Sequence, residues 1–139
     1  MEKDSHSDDE IRKFYSLKNI AVVGMSKNED KAAHYVPKYL IDHGYNVIPI
    51  NPAATEILGR KSYTKVSSVH DKIDIVDIFR PSEDVLGVVE EALKKEGIKV
   101  LWMQKGIYSE KAEKMAKERN ISVVYNRCMM AEHQRLFSD

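Results

Sequence analysis

Five short apolar segments rich in valine and isoleucine punctuate the chain: Ile20 to Gly24, Val47 to Ile50, Ile73 to Phe79, Lys99 to Met103 and Ser122 to Tyr125. Runs of this length and composition read as buried strands. Between them, apolar positions recur near every 3.6 residues, the spacing of helices packed on one face. Val36, Leu40 and Ile41 mark the first helix. Val85, Val88, Val89, Ala92 and Leu93 mark another, and Ala112, Met115 and Ala116 the last. Gly44, Gly97 and Asn120 each separate a helical stretch from the next strand, where a left-handed cap is wanted. Ser82 and Ser109 stand where N-caps belong, with acidic residues in the turn that follows. Strands alternating with helices in this order predict a five-stranded parallel sheet with right-handed crossovers and helices on both faces. The expected fold is a doubly wound α/β domain.

Two segments break the alternation. Pro52 to Val69 lacks a helical stripe and is expected to be an irregular excursion with one helical turn. Cys128 to Asp139 is expected to pack back as a short helix or tail, and Asp9 to Leu17 to form a small leading helix. The first eight residues, polar and acidic, are expected to be disordered. Pro37 is tolerated in the first turn of a helix, which sets the start of that helix near Ala33 or His34. Lys27 to Lys31 is then a loop with room to wrap a phosphate.

Length and charge narrow the possibilities. At 139 residues the chain is one domain's length, with enough apolar content (42%) for a single core. Its 22 basic and 22 acidic side chains cancel, which argues against a dedicated nucleic-acid binder. The longest apolar runs fall far short of the ~20 residues of a membrane span. An acidic N-terminus is unlike a signal peptide, and one cysteine cannot form an internal disulfide framework. A cytoplasmic, soluble, single-domain protein is expected.

In a doubly wound sheet, ligands bind beyond the carboxyl ends of the strands, where strand order reverses. The first strand leads into Gly24-Met25-Ser26-Lys27-Asn28, where glycine allows a tight turn facing a helix N-terminus, an arrangement that favours phosphate. The dinucleotide fingerprint fails, because Ser26 and Glu29 replace its second and third glycines. The ribose-binding acid expected after the second strand is also absent; Pro49-Ile50-Asn51-Pro52 stands there. Support for NAD is therefore poor, and no Walker lysine motif is present for ATP. The remaining strand ends read Phe79-Arg80-Pro81-Ser82, Trp102-Met103-Gln104-Lys105-Gly106 and Tyr125-Asn126-Arg127-Cys128. Asn51-Pro52 and Arg80-Pro81 offer rigid extended backbone suited to an adenine edge. Ser26, Lys27 and Lys31 supply a hydroxyl and two cations.

These motifs together resemble the CoA-binding domain, the Rossmann-like domain also found in the α subunit of succinyl-CoA synthetase. Gly24-Met25-Ser26, Tyr39-Leu40 with Gly44-Tyr45, and Val47-Ile48-Pro49-Ile50-Asn51-Pro52 carry the likeness. Val76-Asp77-Ile78-Phe79-Arg80, Leu101 to Gly106 and Asn126-Arg127-Cys128-Met129 are similar to the small stand-alone CoA-binding proteins of bacteria and archaea. The resemblance runs from about Phe14 to Leu136. It implies coenzyme A across the strand ends, its diphosphate near the first loop, touched by Gly24, Ser26, Lys31, Ile50, Asn51, Pro52, Phe79, Arg80 and Gln104. Pro81 and Gly106 lie in the same strand-end segments and complete the expected site. The family often carries Arg-Pro-Ser-Tyr ahead of the first long helix, where this chain reads Lys31-Ala32-Ala33-His34. Lysine keeps the charge without the guanidinium fork. Lys27, His34 or Arg60 are the residues that would compensate.

The synthetase also needs a second domain with a phosphorylated histidine, for which this chain has no segment. The resemblance therefore implies a non-catalytic module for CoA or an acyl-CoA. A second copy of the chain, or a ligase-like partner chain, is left open. His6, His34, His43, His70 and His133 are too scattered in sequence for a metal site. Asp74 and Asp77 read as structural rather than catalytic, and Trp102 and Met103 as core. The alternative enzyme readings are a redox protein using Cys128, after the last strand, or an acyl-CoA ligase-related subunit needing a partner chain. An NAD or other adenine-nucleotide domain is the third.

Overall fold

The computed structural model describes residues 1–138. Five parallel strands, β1 (Asn19–Val23), β2 (Asn46–Ile50), β5 (Ile75–Ile78), β6 (Val100–Met103) and β7 (Ser122–Val124), form one sheet in the order β2-β1-β5-β6-β7. Their side chains alternate between two apolar layers. Ala21, Val23, Ile48, Val76, Ile78 and Leu101 pack under α3 (Ser82–Ala92) and α4 (Glu110–Lys117). Ile20, Val22, Val47, Ile75, Val100 and Trp102 pack under α1 (Asp8–Phe14), α2 (Ala32–Asp42) and α5 (Met129–Phe137). This is the α/β Rossmann-like arrangement that the alternation of strands and helices predicts. Gly44, Gly97 and Asn120 all adopt positive φ, as helix ends of this kind require. No helix among the described residues is long and apolar enough to cross a membrane.

Four local expectations are corrected. The excursion from Pro52 to Val69 has its expected helical turn, Val66–Ser68, but also a two-stranded hairpin, β3 (Glu56–Ile57) and β4 (Arg60–Lys61). Strands of two residues have no readable period, and the positive φ of Leu58 and Gly59 makes the turn. Ser82 does not cap α3. Pro81 occupies the N-cap, and the Ser82 hydroxyl instead accepts the Tyr108 N–H at 3.1 Å. Helix α2 starts at Ala32, and Pro37 sits in its interior rather than its first turn. The carbonyl that Pro37 leaves free, on Ala33, accepts the Ser26 N–H at 3.0 Å. Of the C-terminal segment, Met129–Phe137 is helical, and Asp139 lies outside the described residues.

The fourth correction concerns the first eight residues, which are tied down. Ser7 and Glu10 form a reciprocal capping box at the start of α1. Asp4 is buried against Arg127, whose guanidinium reaches its carboxylate at 2.9 and 3.2 Å and also donates to the carbonyls of Asp4 and His6. Asp4 further accepts the Tyr125 N–H, and His6 meets the Val123 carbonyl at 2.9 Å, so the arm lines the edge of β7. The polar composition of the arm reflects a buried partner, not freedom in solvent. Asp4→Ala should lower stability by about 3 kcal/mol, because it strands a buried guanidinium with only Glu132, 3.7 Å away, as countercharge. A shift of the urea midpoint checks this; an unchanged midpoint would show that the arm contributes nothing.

Candidate functional site

The chain leaves β1 toward β2 on one side and returns as β5 on the other, so the switch in strand order falls at β1. A cavity of about 590 Å³ opens there, above the carboxyl ends of β1, β2 and β5. Gly24 starts its wall. The residue has φ +85°, and a Cβ on it would lie 3.3 Å from Arg80 Cδ and 3.5 Å from the Phe79 carbonyl carbon. Only glycine takes this turn without strain.

The loop that follows is pinned at almost every polar group. Met25 is buried, and its carbonyl accepts from Asn51 Nδ2 at 2.9 Å. The Ser26 N–H donates to Ala33, and its carbonyl accepts from the buried His34 Nδ1 at 2.7 Å. The Ser26 hydroxyl accepts the Asn28 N–H at 3.0 Å, leaving its own proton to donate. Behind the loop, the N-terminus of α2 has Lys31 as N-cap, no side-chain cap and no acidic residue in its first turn. Its first N–H groups and the helix dipole therefore present positive potential beside the cavity, with the nearest acids, the exposed Glu29 and Asp30, ahead of the N-cap. The contrast is α3, whose first turn carries Glu83 and Asp84. The charged residues that line the cavity are Lys31 and Arg80, with no carboxylate among them. Arg80 is half-exposed and ion-paired to Asp84 at 2.8 Å.

Eight residues singled out from the sequence line this cavity together: Gly24, Ser26, Lys31, Ile50, Asn51, Pro52, Phe79 and Arg80. The others do not. Lys27 is exposed and off the wall, Pro81 caps α3, and His34 lies beneath the loop. Gly106 donates its N–H to Asn126 above β6. Arg60 bonds Asn46 and Val47 at the amino end of β2, the opposite edge of the sheet. Gln104 is buried: its amide nitrogen donates to Asp77 Oδ1 at 2.5 Å, and its oxygen accepts the Met129 N–H at 3.3 Å. Cys128 caps α5 after β7, away from the lining. Thr64, Ala33, Met25 and Val88 line the cavity without having been singled out. Val88 reads from its stripe as core, and Thr64 arrives through the pairing of Tyr63 with Ile50, which no periodicity announces. Among the described residues no group of three or more histidine, cysteine or carboxylate side chains could hold a metal.

A family model described as a CoA binding domain matches residues 18–134. The chain is 40% identical over 116 residues to the protein YneT of Bacillus subtilis (strain 168), covering 84% of this chain and 85% of that one. A hypothetical protein from Pyrococcus horikoshii OT3 superposes with a TM-score of 0.92 at 42% identity, covering 99% of this chain and 100% of that one. An ADP-forming acetate–CoA ligase of Methanocaldococcus jannaschii is 34% identical over 130 residues, covering 88% of this chain but 18% of the ligase. The chain thus spans less than a fifth of that enzyme.

Asp77 stands outside the cavity, in the centre of the sheet. Burial pushes its carboxyl up to about 8 from 3.8, with the Gln104 hydrogen bond acting in the opposite direction, and its Oδ2 has no partner. The folded chain therefore keeps a proton that the unfolded chain releases above its ordinary value. The stabilisation is complete below about 3.8 and is lost as pH rises toward about 8. Asp77→Asn, neutral at every pH, should gain on the wild type by up to ~1.4 kcal/mol per pH unit across that window. Denaturation of both proteins between pH 5 and pH 8 measures the difference, on the order of a few steps of that slope; a constant difference would mean that Asp77 is ionised in the fold.

Proposed function

The chain belongs to the CoA binding domain family, and on that premise we propose that it binds coenzyme A, or an acyl-CoA, in the cavity above β1, β2 and β5. One observation carries the reading. A crevice at the switch point is lined by two cations and no carboxylate, beside a helix N-terminus that has no acid in its first turn. CoA carries a diphosphate and a 3′-phosphate, and such a site offsets their charge without a metal. The Ser26 hydroxyl and the first N–H groups of α2 donate to the diphosphate, while Lys31 and Arg80 take up charge at its flanks. Ile50, Pro52, Phe79 and Val88 give the apolar surface for the less polar parts of the ligand. The ion pair of Arg80 with Asp84 is half-exposed and of little worth, so a phosphate displaces Asp84 at small cost.

The role is that of a binding module rather than a catalyst on its own. Cys128 lies off the cavity wall, which gives the redox reading no reacting pair. NAD fares no better, since Asn51 stands where a ribose-binding carboxylate belongs, and its side chain is engaged with Met25 and Ala53. Relation to a domain of an acetate–CoA ligase supports a ligase-like chain as the partner to which bound CoA is offered.

Calorimetric titration tests the ligand. CoA should bind more tightly than dephospho-CoA, and both more tightly than NAD; equal affinity for NAD would overturn the assignment. Lys31→Ala should weaken CoA by about tenfold to a hundredfold, the worth of one charge-assisted contact of roughly 1.5–3 kcal/mol. Lys31→Arg should bind at least as well as wild type, and added salt should narrow the gap to the alanine variant. If Lys31→Ala binds as tightly as lysine at low salt, the residue is a solvated charge only.

A further inference from the structure

A proline in a helix interior removes one N–H, and its ring crowds the carbonyl four residues earlier. In α2 that proline is the buried Pro37 and that carbonyl belongs to Ala33, which lines the cavity. The vacated carbonyl is not left to solvent. It accepts the N–H of Ser26 at 3.0 Å, from the loop that leaves β1. One residue further along α2, His34 Nδ1 donates to the carbonyl of Ser26 at 2.7 Å. Both polar groups of the Ser26 backbone are thus held by adjacent residues of the first turn of α2.

We propose that Pro37 is a positioning residue: by withholding its N–H it reserves the Ala33 carbonyl for Ser26 and so fixes the loop against the helix N-terminus. This rests on the reading of the cavity as a CoA site. With any other residue at position 37, an intrahelical bond to Ala33 competes for the same oxygen. That bond is local and closes without ordering a loop, so it wins more readily than the bond from Ser26. The helix improves, and the loop is released with its hydroxyl no longer registered to the first N–H groups of α2. The proline therefore trades helix quality for loop order, a cost typical of functional sites.

Two variants separate the N–H from the ring. Pro37→Ala restores the donor with loss of volume, and Pro37→Val restores it with nearly all the volume kept. Both should exchange the Ser26 amide proton at least ~10-fold faster than wild type, since the amide loses its acceptor. Both should bind CoA about tenfold more weakly, the worth of about one ordered hydrogen bond. Pro37→Val should not melt below wild type, because valine is a better helix residue than proline and leaves no cavity at the buried position. Ser26 exchange by NMR, calorimetry with CoA and thermal melting of the full chain read the three quantities. Unchanged Ser26 protection in Pro37→Val, or faster exchange with unchanged CoA affinity, would overturn the proposal. An effect confined to the alanine variant would assign it to lost volume and overturn it too. Should the wild type bind no CoA at all, the cavity reading fails, while Ser26 exchange still decides what Pro37 does.

Discussion

Because crossovers between parallel strands are right-handed, connections that run toward opposite edges of the sheet lie on opposite faces. At β1 that obligation makes the cavity. The chain leaves β1 through α2 on one face and reaches β6 from β5 through α3 on the other. The two connections diverge above the strand ends, and nothing in the sheet can fill the gap between them. Gly24, Asn51 and Arg80 meet there because they follow three adjacent strands, although the chain separates them widely. The hairpin β3–β4 then closes one flank, since Tyr63 pairs with Ile50 and brings Thr64 to the rim.

What the walls can do follows from which polar groups are already spent. Asn51 uses both ends of its amide on Met25 and Ala53, and the backbone of Ser26 is used on Ala33 and His34. These groups shape the loop and have little left for a ligand. The free capacity lies in the Ser26 hydroxyl proton, the open N-terminus of α2, the Lys31 ammonium and an Arg80 guanidinium loosely held by Asp84. All of it can donate, and the ammonium, the guanidinium and the helix N-terminus bring positive charge or potential. A site of this kind discriminates by charge and by the number of acceptor oxygens, in keeping with a ligand of several phosphates.

The sheet was legible because its strands are buried apolar runs of three to five residues rich in valine and isoleucine, and because caps at Gly44, Gly97 and Asn120 need positive φ. Eight residues of the cavity lining were legible because they stand at strand ends or in the loops that leave them. Gln104 lies off that lining for a reason that the strand itself contains: it shares the parity of Val100 and Trp102, so its side chain turns into the layer beneath α5 and meets Asp77. A residue that follows a strand is not thereby aimed at the cavity. His34 shows the same limit, because helix start and side-chain direction depended on an acceptor that only the folded loop supplies. The arm could not be read at all from local pattern, since Asp4 and Arg127 lie 123 residues apart in sequence.

The two faces of the sheet divide the work. Beneath α3 and α4 the core is apolar, apart from Asp74, which accepts from Asn19 at the amino edge. Beneath α1, α2 and α5 lie His34, Asp77, Gln104, and the Arg127–Asp4 pair. Burial of aliphatic side chains stabilises the first face without dictating one arrangement, because shape alone tolerates repacking. Buried polar groups add little net stability, but each forbids every arrangement that leaves it unpaired. Their concentration on the second face falls where the fold has to hold particular geometry: the Ser26 loop against α2, the start of α5 against Gln104, and the N-terminal arm against β7. Apolar burial thus stabilises both sides of the sheet, and the placement of the loop that borders the cavity is drawn from the second.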